Sequence, residues 1–293
     1  MLKAIQAELY KLFKNRTFKV LICVAVLLST LTVVMCSSVF EKILNDSLGN
    51  MPQDQKEVLM EQLTSMSESE AIVTPGQLGI QLQAKDMMNP TSIEVYHASF
   101  GSGVIEIIIG ILVGALIAKE YSQGTIKNFL AYGKRREEFY LAKFVSMVIA
   151  VTIILAVMTI LPTIVVTLMN GWGKAFEISQ LLGMIKTFVA SVIAGSAVAA
   201  LAMIIATLVK GNGATIGITV AIFIGIPTLA GFLYGIYPWF DRVYEVLPFY
   251  NSALATSIKA GNGDLLRSVI ISLVTIAISL FVGIKIFKSQ DIK

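Results

Sequence analysis

Uninterrupted apolar runs, several of them longer than the ~18 residues that mark a membrane span, decide what this chain can become. Only 14% of its 293 residues are charged, and a soluble core of this size needs no such runs. The sequence therefore predicts an all-α integral membrane protein with six transmembrane helices, at 18–40, 98–118, 140–169, 180–209, 214–236 and 265–285. Six spans put both termini on one side of the bilayer. Fifteen of the 23 Lys and Arg residues gather on that side: Lys3, Lys11, Lys14, Arg16 and Lys19; Lys119, Lys127, Lys134, Arg135, Arg136 and Lys143; Lys210; and Lys285, Lys288 and Lys293. The positive-inside rule then makes that side the cytoplasm. The formal net charge of +4 reflects this topogenic bias, and no nucleic-acid partner is expected.

The reactive side chains offer little chemistry. Cys23 and Cys36 fall in the first apolar run, 13 residues apart and on different helix faces, so neither a disulfide nor a metal pair is expected. His97 has no second histidine to work with. A basic start, an apolar core and then VVMCSS superficially resemble a lipoprotein signal ending at Cys36. Met35 stands where a small residue is wanted, however, and the run is longer than a signal core, which favours an uncleaved span.

Residues 41–97 form the largest segment outside the bilayer and carry nine acidic residues and three lysines, a net of −6. Val58, Leu59, Leu63 and Met66 share a helical face, and Thr74 followed by Pro75 has the form of a helix start, so a small helical extracellular segment is expected. Its acidity either attracts cationic molecules or records only that acids are tolerated outside where lysines are selected against. At the other extreme of the chain, Leu2, Ile5, Leu9, Leu12 and Phe13 recur at helical spacing while Lys3, Glu8, Lys11 and Lys14 occupy other faces. Residues 1–17 therefore read as an amphipathic interfacial helix in contact with membrane lipids, entering the first span at an elbow, or equally as a topogenic anchor with no partner.

Between the second and third runs stands a polar stretch, EYSQGTIKNFLAYGKRREEF, at 119–139 with its preceding lysine. A chain that only turned round would need a few residues. This one supplies an apolar set, Ile126, Phe129 and Leu130, on a predicted short helix from about Thr125 to Tyr132, stopped by Gly133. The run EYSQGTIKNFL at 120–130 followed by RxEFYLAKF at 136–144 resembles the coupling segment of ABC-2 type transporter permeases, and AELYKLFKNRTF resembles that family's elbow. The six-span order and the outer loop containing LPFYN at 247–251 extend the resemblance more loosely over the chain. The 57-residue outer segment departs from compact members.

The resemblance implies a permease subunit in the bacterial cytoplasmic membrane. It would dimerise with a second permease chain, identical or not, and be driven by a separate soluble ABC ATPase subunit. The sequence agrees: GxxxxGK[ST] does not occur, and KGNGATIG at 210–217 lacks the lysine after its second glycine. No cofactor is expected in this chain, ATP and Mg belonging to the partner, and neither a catalytic residue nor a metal ligand is expected. The implied ATPase contacts are Glu8 and Lys11 on the elbow, with Glu120, Gly124, Thr125, Ile126, Phe129, Leu130, Arg135 and Arg136. Glu120 and Gly124 would set the bend, Ile126, Phe129 and Leu130 would enter a groove on the ATPase, and the two arginines would hold headgroups or the ATPase surface.

In the membrane, Gly110 with Gly114 and Gly231 with Gly235 each form GxxxG, and ASVIAGSAVAALA at 190–202 offers small residues on most faces. Pro162 and Pro227 permit kinks. Glu106 stands alone in GVIEIIIG, where a charge needs a partner or water. It is either a contact for a cationic substrate group in an outward cavity or a carboxylate that reaches the headgroups. In the loop 237–264, Trp239, Phe240, Tyr244, Phe249 and Tyr250 form an interfacial aromatic belt. The resemblance makes the same region an outer gate of short helices dipping into the membrane.

These readings converge on an exporter permease for amphipathic or cationic peptides or toxic lipophilic compounds. A secondary transporter would want paired ionisable groups near mid-membrane, where this chain offers only Glu106 and Lys186, both off-centre. A membrane enzyme would want a catalytic set, and neither HExxH nor GxSxG occurs.

Overall fold

A computed structural model describes residues 1–36, 46, 49, 52, 55, 58, 72–84, 89–126, 135–173 and 175–290. Among these the architecture is all-helical, the only extended pairing being an isolated bridge between Gly79 and Ser102. Helices α1 (Leu2–Lys14) and α2 (Arg16–Met35) meet at Asn15. Its extended backbone breaks the helix, and its side chain accepts hydrogen bonds from the N–H groups of Thr17 (2.7 Å) and Phe18 (3.3 Å). The elbow is thus a helix end and a cap compressed into one residue. Helix α1 turns Ala4, Glu8 and Leu12, spaced four apart, into the protein and leaves Leu2, Tyr10 and Phe13 exposed beside Lys3 and Lys14.

Most of the 41–97 segment, including Leu59, Leu63 and Met66, lies outside the described residues. Where a helix was expected after Thr74, Pro75 and Gly76 form a turn and the chain runs on non-helically to residue 84. Gly76 and Gly79 take left-handed φ values of 82° and 95°, and Gly79 exchanges backbone hydrogen bonds with Ser102 (2.8 and 2.9 Å), so the local helix signal loses to tertiary pairing. Helix α3 (Ser92–Ala98) follows, opened by a Thr91–Glu94 capping box.

The second apolar run becomes α4 (Val104–Val113), a π-helical turn (Gly114–Ala118) and α5 (Lys119–Ser122), continuous from 104 to 122. At ~1.5 Å per residue this is ~28 Å of helix. In the π turn the N–H of Lys119 reaches back five residues to the Gly114 carbonyl. Four longer helices complete the set with two short ones: α6 (Arg136–Asn170), α7 (Ile178–Val209), α8 (Asn212–Gly231), α9 (Pro238–Tyr244), α10 (Pro248–Thr256) and α11 (Asn262–Ser289). Of all these, α2, α6, α7, α8 and α11 are each long and apolar enough to cross a membrane.

Helix α7 is the centre of the packing, touching α4, α6, α8, α10 and α11. Its buried face is made of Ala190, Ala194, Gly195, Ala197, Ala199, Ala200, Ala202 and Ala206, small enough to let neighbouring backbones close in. Gly110 and Gly114 likewise seat α4 and its π turn on α8. A Cβ on Gly110 would lie 3.1 Å from Thr219 Cγ2, and one on Gly114 would lie 2.6 Å from Ile216 Cγ1. The second glycine pair behaves differently. Gly231 ends α8 against the Pro75 carbonyl, and Gly235 lies in a turn with φ 82° and open space around it, so neither packs helix on helix. Pro162 and Pro227 stand inside α6 and α8. The loop after α8 folds inward: α10 buries Tyr250, Asn251, Ser252, Leu254 and Ala255 against α7 and α11.

Candidate functional site

Two carboxylates on the helix that runs from α4 to α5 define two centres. Glu106 and Glu120 are 14 residues apart, or ~21 Å along the axis.

At Glu120 four charged side chains from three elements meet. The Lys143 ammonium, on α6, is buried and binds Glu8 of α1, Glu120 (2.8 Å) and the Leu116 carbonyl of the π turn (3.2 Å). Lys11 binds the same two carboxylates from the solvent side, at 2.8 Å to Glu8 and 3.2 Å to Glu120. Burial alone would push the Lys11 pKa down, but the hydrogen bonds and charges of Glu8 and Glu120 outweigh it and hold the ammonium above its ordinary value. Two cations and two anions alternate, so each buried charge is paired, and a polar cavity of about 290 Å³ opens beside them between Asn15, Lys119 and Gln123. The elbow helix, the end of the second apolar run and the start of the third are thereby tied into one unit.

Beyond Glu120 the helix ends at Gly124, whose φ of 67° is left-handed. The N–H of Thr125 bonds the Glu120 carbonyl (3.2 Å) and the N–H of Gly124 bonds that of Tyr121 (3.2 Å), the paired bonds of a Schellman end. Gly124→Ala is expected to cost ~1 kcal/mol of stability through that φ alone, read as a lowered melting temperature of the purified protein.

The structure reassigns several residues that the sequence directed outward. Glu8 is buried and faces Lys143, because α1 packs that stripe on α6. Ile126, expected to enter a partner's groove, is 2% exposed and belongs to this chain's own core. Arg136 binds three carbonyls at the end of α11, those of Phe287 (3.1 Å), Lys288 (2.8 Å) and Gln290 (2.8 Å), where a cation satisfies orphan acceptors and the helix dipole together. Lys11, Thr125 and Arg135 are exposed on this face, while Glu120 is only partly so. Phe129 and Leu130 lie outside the described residues, as does the helix expected over 125–132 beyond Ile126. Lys143 is the residue whose role sequence reasoning missed. It was counted only as a topogenic charge, although a lysine set three residues into an apolar run, after a carboxylate-bearing segment, is a cation in need of a partner.

The second centre is Glu106, in the first turn of α4. One oxygen accepts a hydrogen bond from Ser252 Oγ of α10 (2.9 Å); the other is shut off from solvent and has no hydrogen-bond partner among the described residues. A cavity of about 50 Å³ adjoins it, lined in part by Tyr244, Phe223 and Phe249. Of the aromatic residues expected at an outer gate, Tyr244 and Phe249 thus line this cavity. Phe240 stacks on Tyr244 with ring centres 6.1 Å apart, and Trp239 is 67% exposed at the rim.

Near this end, His97 ties α3 to α10: Nδ1 carries the hydrogen and donates it to the Thr256 carbonyl at 2.9 Å, since a carbonyl only accepts. Burial holds the imidazole below its ordinary 6.5, partly offset by that carbonyl. The unfolded chain therefore takes up a proton before the folded one does, so stability falls as pH drops through about 6.5 and is unaffected by this group well above it. Melting of the purified protein at pH 5 and pH 8 is expected to show this acid loss, and His97→Asn to reduce it.

Apolar helices long enough to cross a bilayer, packed about a small-residue core with apolar side chains such as Ile164, Leu168 and Phe281 exposed around it, define a multi-pass helical membrane protein. The chain belongs to the family described as "Protein of unknown function (DUF2705)", whose model matches residues 57–293. No curated protein matches the chain in a sequence search.

Proposed function

We propose that the protein is the permease subunit of an ATP-driven ABC exporter of the ABC-2 type. In this reading the second apolar run is a sixth span and both termini are cytoplasmic, in a bacterial cytoplasmic membrane. A soluble ABC ATPase binds beside the elbow, a second permease chain completes the dimer, and the cargo is an amphipathic or cationic peptide or a toxic lipophilic compound. The observation that carries the reading is the Glu8–Lys143–Glu120–Lys11 cluster. A push on the segment after Glu120 reaches the elbow helix and α6 through short, buried ion pairs rather than through a flexible loop, so three elements move as one body. The exposed Lys11, Gln123, Thr125 and Arg135 supply a polar face on which such a push arrives. Glu106 and the aromatic residues of α9 and α10 stand at the other end of the path.

The test is coexpression with an ATPase encoded beside this chain, followed by purification through a tag on the permease. The two are expected to copurify and to hydrolyse ATP together, and this chain alone to hydrolyse none. Failure of every neighbouring ATPase to copurify, or hydrolysis by the rigorously purified single chain, would overturn the assignment.

A further inference from the structure

The cavity at Glu106 is walled on one side by residues 73–78 of the non-helical strap 72–84. The strap is docked rather than draped. Gly79 pairs with Ser102, the Ser257 hydroxyl donates to the Ile72 carbonyl (2.7 Å), and Val73 is buried with Ala230, Tyr244, Tyr250 and Leu254. Gly103 has no Cβ because Leu78 occupies that place, and Gly231 none because the Pro75 carbonyl does. What the strap covers is a carboxylate with one oxygen satisfied by Ser252 and the other without a hydrogen-bond partner among the described residues, on a side chain that lines about 50 Å³ of space. Among the described residues neither a lysine nor an arginine lines that space, and no ion pair reaches Glu106.

We propose that this cavity is a binding site for a single primary ammonium group, with the strap as its lid. To hold its negative charge a buried carboxylate needs a positive partner, and none is supplied from within the described chain. The space accommodates a few water-sized groups, so it fits an ammonium head with a water and is far below the several hundred Å³ that a drug-sized molecule fills. Its walls suit such a head: Phe223 and Phe249, edge to face with centres 5.2 Å apart, and Tyr244 line it with aromatic surface, whose faces attract cations. Ser252 Oγ adds an oxygen beside the carboxylate. A lysine side chain or amine terminus of a larger molecule would enter head first, the strap lifting to admit it. This deepens the exporter reading by naming a primary amine as the recognised group, and rests on that reading only in calling the amine part of the cargo.

The experiment measures melting of the purified chain, without any ATPase, in methylammonium chloride, sodium chloride and tetramethylammonium chloride at equal ionic strength. Methylammonium is expected to raise the melting temperature saturably, with sodium and tetramethylammonium giving no saturable rise. Glu106→Gln is expected to abolish the rise and Ser252→Ala to weaken the apparent affinity about tenfold. An equal rise in tetramethylammonium or sodium, the same rise in Glu106→Gln, or no rise in the wild type would each overturn the proposal. Should Glu106→Gln fail to fold, Ser252→Ala carries the test, an unchanged affinity counting against the site. Because the ATPase is absent, failure here leaves the partner assignment standing, and failure of copurification leaves ammonium binding measurable.

Discussion

Lys143→Met is expected to destabilise the protein by about 3–5 kcal/mol, the largest effect of any single substitution at the elbow, because it leaves a buried carboxylate without its nearest cation. Glu8 is 2% exposed and would keep only Lys11, which it already shares with Glu120. The π turn would also lose the donor that reaches the Leu116 carbonyl. Truncating both partners should cost less than the two single changes together, since Lys143→Met with Glu8→Gln removes the charge that the first change strands. The measurement is a double-mutant cycle on melting of the purified protein, with export followed at matched membrane expression. Additive losses would mean that the two side chains do not act on each other, and the cluster would then not be a mechanical unit.

The next largest loss is expected from Gly283→Val, for a steric reason. Helices α6 and α11 approach so closely here that a Cβ on Gly283 would overlap the Tyr140 hydroxyl. Beside this contact Phe287, fully buried, stacks on Phe139 with centres 5.6 Å apart, and Arg136 caps the end of α11 from the same side. Forcing branched carbon into that seam must part the helices or drive Tyr140 from its place, an overpacking cost of about 1–3 kcal/mol or more. Tyr140→Ala in the same chain is expected to recover part of the loss by making room. Melting of the single and double variants decides it: an unchanged Gly283→Val protein would show that the seam is not tight.

The helices were legible in the sequence wherever composition alone fixes them. The runs expected at 140–169 and 180–209 are helical from Arg136 to Asn170 and from Ile178 to Val209, because twenty or more apolar residues leave the backbone no partner but itself. The run expected to end at 236 stops as a helix at Gly231, where the strap's Pro75 carbonyl arrives from 156 positions earlier in the chain. That contact has no local signature. The same holds for the candidate site: Glu8, Glu120 and Lys143 could each be named as charges at span ends, but their meeting depends on how α1 lies across α6. Ile126 misled for the converse reason. An apolar side chain in a polar stretch signals that something covers it, without telling whether the cover is another protein or the chain itself.

The cap that Arg136 places on the end of α11 also sets a timetable. During synthesis the elbow cluster has all its members once residue 143 has been made, whereas Arg136 and the Phe139–Phe287 stack wait for residue 290. At about 5–20 residues per second that interval is roughly 7–30 s. Throughout it α6 lacks the α11 carbonyls that its guanidinium binds and the Phe287 ring that stacks on Phe139. This seam therefore stays open until α11 is in place, and a fusion or truncation that disturbs the carbonyls of residues 287–290 would prolong the wait without touching any residue of the two functional centres.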